Sequence, residues 1–272
     1  MAPVGDRTSF LEKGYAIYPN LLSPQEVEQY KSRISAFFNW RKKPKATSDR
    51  NLNVGYSSSD AITATQEFWD LIFHDKLTSF IRYLLGPTAR YTQHSDLHLN
   101  HGTVGWHRDC ANRDFGVGPD WDERNVPYRV VRVAIYLQSY AESKFSLGVI
   151  PSSHQHESIL TTLERKSWNV LMGRMLKKKN ILQPLLSVKP TWIPTNPGDC
   201  IVFNQRLLHS GSYCQGEKYA MFLSYGIDNE HSKRHRRYYL YDRKDLSYSD
   251  CPEALKQRLI EQNLYLGVTK ED

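Results

Sequence analysis

Pro197-Gly198-Asp199-Cys200-Ile201-Val202-Phe203-Asn204-Gln205-Arg206-Leu207-Leu208-His209 is the stretch on which the fold turns. Pro-Gly-Asp is turn chemistry, and the apolar run 200–203 behind it reads as a short buried strand. The same texture extends outward. Arg129–Leu137 (RVVRVAIYL) is rich in β-branched residues, Gly148-Val149-Ile150-Pro151 is a short strand stopped by proline, and 218–226 (KYAMFLSYG) closes the set. Short strands in succession from Ala89 to Gly226, with helices mainly ahead of them, predict a mainly β chain with flanking helices: a double-sheeted β-helix barrel. A parallel α/β architecture is disfavoured because helices do not alternate with strands.

Ahead of the barrel, Tyr15-Ala16-Ile17-Tyr18 reads as a β segment ending at Pro19. Ser23 with Glu26 forms a capping box for a helix running to about Phe38, with Pro24 in its first turn. Residues 39–60 are polar and aperiodic and read as an exposed loop. Helical spacing returns over 61–85, with Phe68, Leu71, Ile72, Leu77, Ile81, Leu84 and Leu85 on one side and Gly86-Pro87 as the stop. Residues 158–180 read as a helical insertion between strands. Trp168, Leu171, Met172 and Met175 give it an apolar stripe that suits core packing or a lid. The 272 residues are expected to form one domain, with N-terminal helices at about 23–85, a barrel core at about 89–226 and a C-terminal extension at 227–272.

Apolar residues at 40% and charged residues at 24% fit an ordinary globular chain. No run approaches the ~20 apolar residues that span a bilayer, and neither end shows a signal core or lipidation tag, so a cytoplasmic location without membrane contact is expected. Cys110, Cys200, Cys214 and Cys251 contain no CxxC pair, which argues against a zinc ribbon or a disulfide scaffold and suits a reducing compartment. The net charge of +7 is concentrated in Lys177-Lys178-Lys179 and Lys233-Arg234-His235-Arg236-Arg237. Such runs form solvated faces or attract anions. No nucleic-acid motif accompanies them, so no nucleic-acid partner is expected.

Gly105-Trp106-His107-Arg108-Asp109 carries the chemistry. Side chains two apart on an extended segment share a face, so His107 and Asp109 can reach one metal together. About a hundred residues on, the strand after Pro197-Gly198-Asp199 leads to His209, which can supply a third ligand. Two imidazoles and a carboxylate leave open positions that suit a bidentate keto acid and dioxygen on iron(II). An HxD pair alone is weak evidence; the turn, strand and histidine that follow it give it weight.

Together these motifs resemble the phytanoyl-CoA dioxygenase family of iron(II)/2-oxoglutarate oxygenases. The resemblance rests on Gly14-Tyr15 with Leu22-Ser23-Pro24-Gln25-Glu26, WHRD at 106–109, VIPSSH at 149–154 and PGDCIVFNQRLLHSGS at 197–212, and it spans about residues 10–226. It implies a jelly-roll (cupin-like) barrel with the site at its open end. It also implies that His107, Asp109 and His209 bind Fe(II), with 2-oxoglutarate and O2 as cosubstrates and succinate and CO2 as products. An intact Asp109 carboxylate implies hydroxylation, desaturation or another C–H oxidation; related halogenases carry a small residue there. The family usually anchors the distal carboxylate of 2-oxoglutarate with an arginine ten or so residues after the second histidine. Here that arginine is missing. Lys218 stands at or beside its position, and Arg132, on the central strand, is the second candidate. On 91–100 (YTQHSDLHLN), His94, Asp96, His98 and Asn100 share one face by alternation, and His98 and Asn100 are expected to touch cosubstrate or substrate. His101 and His154 are not read as ligands, and Cys110 is read as a neighbouring side chain. The expected substrate is a small metabolite or natural-product intermediate, with an anion favoured by the excess positive charge. Two rival readings keep the fold: a non-catalytic metal-binding module, favoured by the missing arginine, and a cupin-type metalloenzyme that does not use 2-oxoglutarate. Oligomeric state leaves no sequence signal.

Overall fold

Alternation along the central strand divides the molecule into two cores. In the computed structural model, which describes residues 7–41, 55–101, 105–164, 166 and 188–269, strand β5 (Val130–Tyr136) is buried along its whole length. Val131, Val133 and Ile135 point to one side and pack with Ile34, Leu77, Phe80, Ile81 and Leu84 of the N-terminal helices. Ala134 and Tyr136 point to the other side and meet Phe145, Leu147, Val149 and Ile193 of a second sheet. Each such apolar side chain contributes ~1.5–3 kcal/mol when fully buried. The same alternation carries Arg132 to the inner side.

The larger sheet runs in the order β1 (Tyr15–Tyr18), β8 (Cys200–Asn204), β5, β10 (Tyr219–Ile227), β4 (Asp96–Leu99), β2 (Tyr56–Ser59), with β3 (Ala89–Tyr91) also on β10. The smaller sheet runs β7 (Thr191–Pro194), β6 (Ser146–Val149), β9 (His209–Gly211). All named pairings are antiparallel, and neighbours in the sheet are mostly distant in sequence. This is the expected jelly-roll core with flanking helices, although the two facing sheets do not close into a ring. The Pro197-Gly198-Asp199 turn is held at both ends: Asp199 accepts from the Asn20 amide at 2.9 Å and from the Asn196 side chain at 2.9 Å. Gly198 sits at φ +81°, where a Cβ would lie 2.6 Å from the Leu22 carbonyl, so only glycine fits.

The Ser23–Glu26 capping box forms as expected, and the helix it opens runs over Pro24–Arg41. Other sequence expectations are corrected. The 61–85 segment is not one helix but the short helices Ala61–Ala64, Gln66–Phe68 and Trp69–Ile72 followed by Asp75–Leu85. Thr65 and His74 adopt extended torsions that break the run, while the core face was read correctly: Phe68, Leu71, Ile72, Leu77 and Ile81 are all buried. Tyr56–Ser59, expected within the exposed loop 39–60, is a strand. It lacks apolar alternation because it is an edge strand held to β4 by its backbone. The 91–100 strand is interrupted between Tyr91 and Asp96, with Gln93 at φ 57°. Arg7–Lys13 forms a helix that carried no sequence signal. Of the 158–180 insertion, residues 159–164 are helical; its apolar stripe and the triple lysine lie outside the described residues. No described helix is long and apolar enough to cross a membrane.

Candidate metal centre

His209 begins β9 directly after the turn that ends β8, and the WHRD segment lies antiparallel beside it. The amides of His107 and His209 each donate to the other's carbonyl at 3.0 Å, and the amide of Asp109 donates to the Gln205 carbonyl at 2.9 Å. This stitching brings three side chains from distant parts of the chain to one point. The donor atoms of His107, Asp109 and His209 all lie within 4.8 Å of one another. His107 Nε2 is 3.6 Å from Asp109 Oδ1, and His209 Nε2 is 3.6 Å from Asp109 Oδ2. Donors bound at ~2.0–2.2 Å around one ion stand at about this separation.

The imidazoles are set for ligation. His107 Nδ1–H donates to the Gly105 carbonyl at 2.7 Å and His209 Nδ1–H to the Leu207 carbonyl at 3.0 Å, which leaves each Nε2 with its lone pair toward the carboxylate. Burial and the facing His107 push His209 down to about 4. Burial alone would raise the Asp109 carboxyl, but His209, His107 and Arg132 outweigh it and hold the group at about 2. His209 and Asp109 are thus held in the deprotonated forms that metal ligation requires. Among the described residues these three form the group of His, Cys, Asp and Glu side chains placed to hold an ion.

The residues between the ligands make the scaffold rigid. Arg108, fully buried between His107 and Asp109, donates to the carbonyls of Arg206 at 2.7 Å and Ser153 at 3.1 Å and pairs with Glu157. Ser153 Oγ accepts from the Leu208 amide at 2.8 Å. The VIPSSH segment therefore clamps both ligand-bearing strands. His154, turned to the Leu11 carbonyl at 3.0 Å, takes no part in ligation. Cys110 is buried with its thiol toward the Asn112 carbonyl, and burial raises it well above the usual range.

A cavity of about 350 Å³ opens beside the triad. Lys218, Tyr136, Phe145, Leu147, Phe203 and Phe222 line it from the two sheets. Lys218 is buried, with its ammonium 3.8 Å from the Phe145 ring centre and donating to the His101 carbonyl at 2.7 Å. Burial pushes it down to about 7, and no carboxylate among the described residues pairs with it. Arg132 also lines the cavity, but its hydrogen bonds are taken. It is paired with Asp96, donates to the His94 carbonyl at 2.6 Å, and stands 3.8 Å from Asp109 Oδ2.

The polar face of 91–100 is partly as expected. His94, Asp96 and His98 line the cavity. His98 packs between Phe222 and His101, with ring centres 4.7 and 4.6 Å away, and burial drives it to the neutral form. Asn100 does not line it. Its backbone turns at φ 54° and its side-chain oxygen accepts from the Lys218 amide at 2.9 Å, so it positions Lys218 from behind.

Further lining comes from places that carried no sequence signal: Arg113, and Tyr239, Arg243, Leu246 and Tyr248 of the C-terminal extension. Tyr239 donates to the Asp109 carbonyl at 3.0 Å and stacks on His94 with ring centres 3.6 Å apart; Tyr248 donates to Asp96 at 3.2 Å. The basic run 233–237, read as a solvated or anion-attracting face, lies in helix Glu230–Arg237, and two of its five residues are internal. His235 is buried against His94 at 3.2 Å, and Arg236 is buried on the Leu266 carbonyl and the Gln93 side chain.

A phytanoyl-CoA dioxygenase (PhyH) family model matches residues 10–220. No curated protein matches the chain. Among solved structures, EvdMO1 aligns at a TM-score of 0.57 and 17% identity over 82% of this chain and 49% of its own, so the chain spans about half the length of that protein. The epimerase SnoN, in complex with Fe3+, alpha ketoglutarate and nogalamycin RO, aligns at 0.57 and 16% identity over 82% of both chains. HygX from Streptomyces hygroscopicus, with nickel and 2-oxoglutarate bound, aligns at 0.56 and 15% identity over 80% of this chain and 84% of its own. At such identities the likeness is one of fold.

Proposed function

Since the chain belongs to the phytanoyl-CoA dioxygenase family, we propose that His107, Asp109 and His209 hold an iron(II) ion that works with 2-oxoglutarate and dioxygen to oxidise a C–H bond of a small molecule. One observation carries this reading: two imidazoles and one carboxylate converge at a cavity whose sheet-lined part holds a buried lysine with no carboxylate partner among the described residues. Bound there, iron, 2-oxoglutarate and dioxygen would together supply the oxidising power, with succinate and carbon dioxide as coproducts.

The chain's own residues bind, orient and exclude. The carbonyls of Gly105 and Leu207 fix the imidazole tautomers, and Arg132 steadies Asp109 from 3.8 Å. Lys218 meets the distal carboxylate of 2-oxoglutarate as a point charge. Arg132 is the weaker candidate for that role because Asp96 and the His94 carbonyl already occupy its donors. Phe145, Phe203 and Phe222 keep water from the chelate, and low polarity strengthens each charge contact inside. The reaction we favour is hydroxylation or desaturation. SnoN, an epimerase of the same fold, marks the other outcome the product analysis must cover. With its four cysteines free, the protein suits a reducing compartment, and we place it in the cytoplasm as a single domain.

The test is turnover of 2-oxoglutarate. In air, the wild-type protein should form succinate only when iron(II) is present, and Asp109→Ala should form none. Equal succinate from the variant would contradict the assignment.

A further inference from the structure

Matching the Asp, Arg and Lys side chains of the cavity one by one leaves a single cation over. The charged residues lining it are Asp96, Asp109, Arg113, Arg132, Lys218 and Arg243. Arg132 is paired with Asp96. Arg243 is held by both oxygens of Asp245, at 2.6 and 2.7 Å. On the proposed function, the two charges of iron(II) are met by Asp109 and the keto-acid carboxylate, and Lys218 is met by the distal carboxylate. The imidazoles add nothing for His94, His98 and His209, which burial drives to the neutral form. Arg113 remains. Among the described residues no carboxylate lies within ion-pair distance of it; the neighbouring Asp114 is paired with Lys166 at 3.4 Å.

Position adds to the charge argument. Arg113 follows the ligand Asp109 by four residues, and its backbone carbonyl accepts from the buried Arg108 at 3.3 Å, so the loop carrying it is tied to the metal segment. Its side chain is exposed yet lines the cavity, which puts it on the rim. Its charge is felt at Asp109, at Tyr239 and at Asp245, so it lies within electrostatic reach of both the triad and the Arg243–Asp245 pair. The hydroxyls of Ser57, Ser59 and Tyr248 line the same cavity and supply neutral hydrogen-bonding groups.

We infer that Arg113 is a substrate-reading residue and that the substrate is a small molecule carrying an oxyanion group, carboxylate or phosphate, held by this guanidinium at the rim. The inference rests on the iron and 2-oxoglutarate reading of the cavity. A guanidinium meets either oxyanion through two parallel N–H bonds, which fixes orientation as well as charge. Such a contact would hold the reacting end of the substrate toward the triad while the charged end stays near solvent.

The test uses the full chain loaded anaerobically with Mn(II), a paramagnetic stand-in for iron(II), and 2-oxoglutarate, so that Lys218 is already occupied. Inorganic phosphate is then titrated with its 31P line width as the readout, and acetate in parallel by 13C, because Mn(II) broadens the signal of an anion held close to it. The expected result is saturable broadening by at least one probe, weakened about tenfold or more in Arg113→Gln and largely retained in Arg113→Lys. The probe bound more tightly names the oxyanion. Absence of saturable broadening by both probes, or equal binding in Arg113→Gln, would overturn the inference. Failure of the protein to take up 2-oxoglutarate at all would instead sink the proposed function, which separate titration of 2-oxoglutarate detects.

Discussion

The cavity has two parts of unlike origin. The part holding the triad and Lys218 is lined by strands, with alternation in β5, β8 and β10 turning Tyr136, Phe203 and Phe222 toward it. The rim is built from the 113 loop and the C-terminal residues Tyr239, Arg243, Leu246 and Tyr248. The sheet end fixes what the metal and cosubstrate meet, and it can change little without loss of the core. On the proposed function the rim decides what else is admitted; its Tyr239 and Tyr248 are bonded to Asp109 and Asp96, whereas its exposed Arg113 can change without disturbing the strands. On the proposed function, chemistry and selectivity are thus divided between these two parts.

The largest effect should come from the sheet end. Asp109→Ala removes the carboxylate that both imidazoles face and should weaken Mn(II) or iron(II) binding by at least about 100-fold, read by metal titration. Retained affinity would mean that the ion sits elsewhere. Next, Glu157→Ala leaves the Arg108 guanidinium buried without its carboxylate and should cost about 3–5 kcal/mol in urea unfolding. A loss below about 1 kcal/mol would show that the carbonyls around Arg108 suffice.

Lys218 comes third. Lys218→Ala should weaken 2-oxoglutarate binding by about 10–100-fold, with the rim's affinity for substrate unchanged. The wild type should also show a pH signature. Burial holds the Lys218 ammonium at about 7, with Cys214, His98 and His101 as its titratable neighbours. A bound carboxylate favours the charged form, so binding takes up a proton above pH 7. The affinity should fall by up to about tenfold per pH unit from there and flatten below about pH 6. An affinity flat from pH 6 to 9 would remove Lys218 as the anchor.

The smallest effect tests how the rim is held. Asp60 is buried under the C-terminal segment, accepting from the Ser249 amide at 3.2 Å, and burial raises it to about 7. A carboxyl raised from 3.8 binds its proton more tightly in the folded state. Its contribution is therefore complete below about pH 4 and is lost as the pH rises to about 7. Asp60→Asn should be more stable than wild type at pH 8 by on the order of 1–3 kcal/mol and equal to it near pH 4. The same stability difference at both pH values would contradict the raised carboxyl.

What was legible in the sequence follows the same division. The triad could be read because each part has local cause: His107 and Asp109 share a face by the two-residue period, and the glycine-bearing turn delivers the strand before His209. The polar face of His94, Asp96 and His98 was also found by alternation, although Gln93 interrupts the strand. The VIPSSH segment was recognised as a motif, but its task was hidden, since Ser153 acts on Arg108 and Leu208 across the fold. The rim left no trace, because Arg113 and Tyr239 are brought to one cavity only by tertiary packing. The basic run 233–237 misled for a related reason. Charge was read without the helical period that turns His231, His235 and Arg236 inward.

The central claim is that one ion and one keto acid meet between the triad and Lys218, and an anaerobic optical titration tests it most directly. Iron(II) is added to the protein first, then 2-oxoglutarate. The account predicts a weak visible charge-transfer band that appears only with both present and saturates at one equivalent of each per chain. A protein that binds iron(II) but develops no band on addition of 2-oxoglutarate would contradict it.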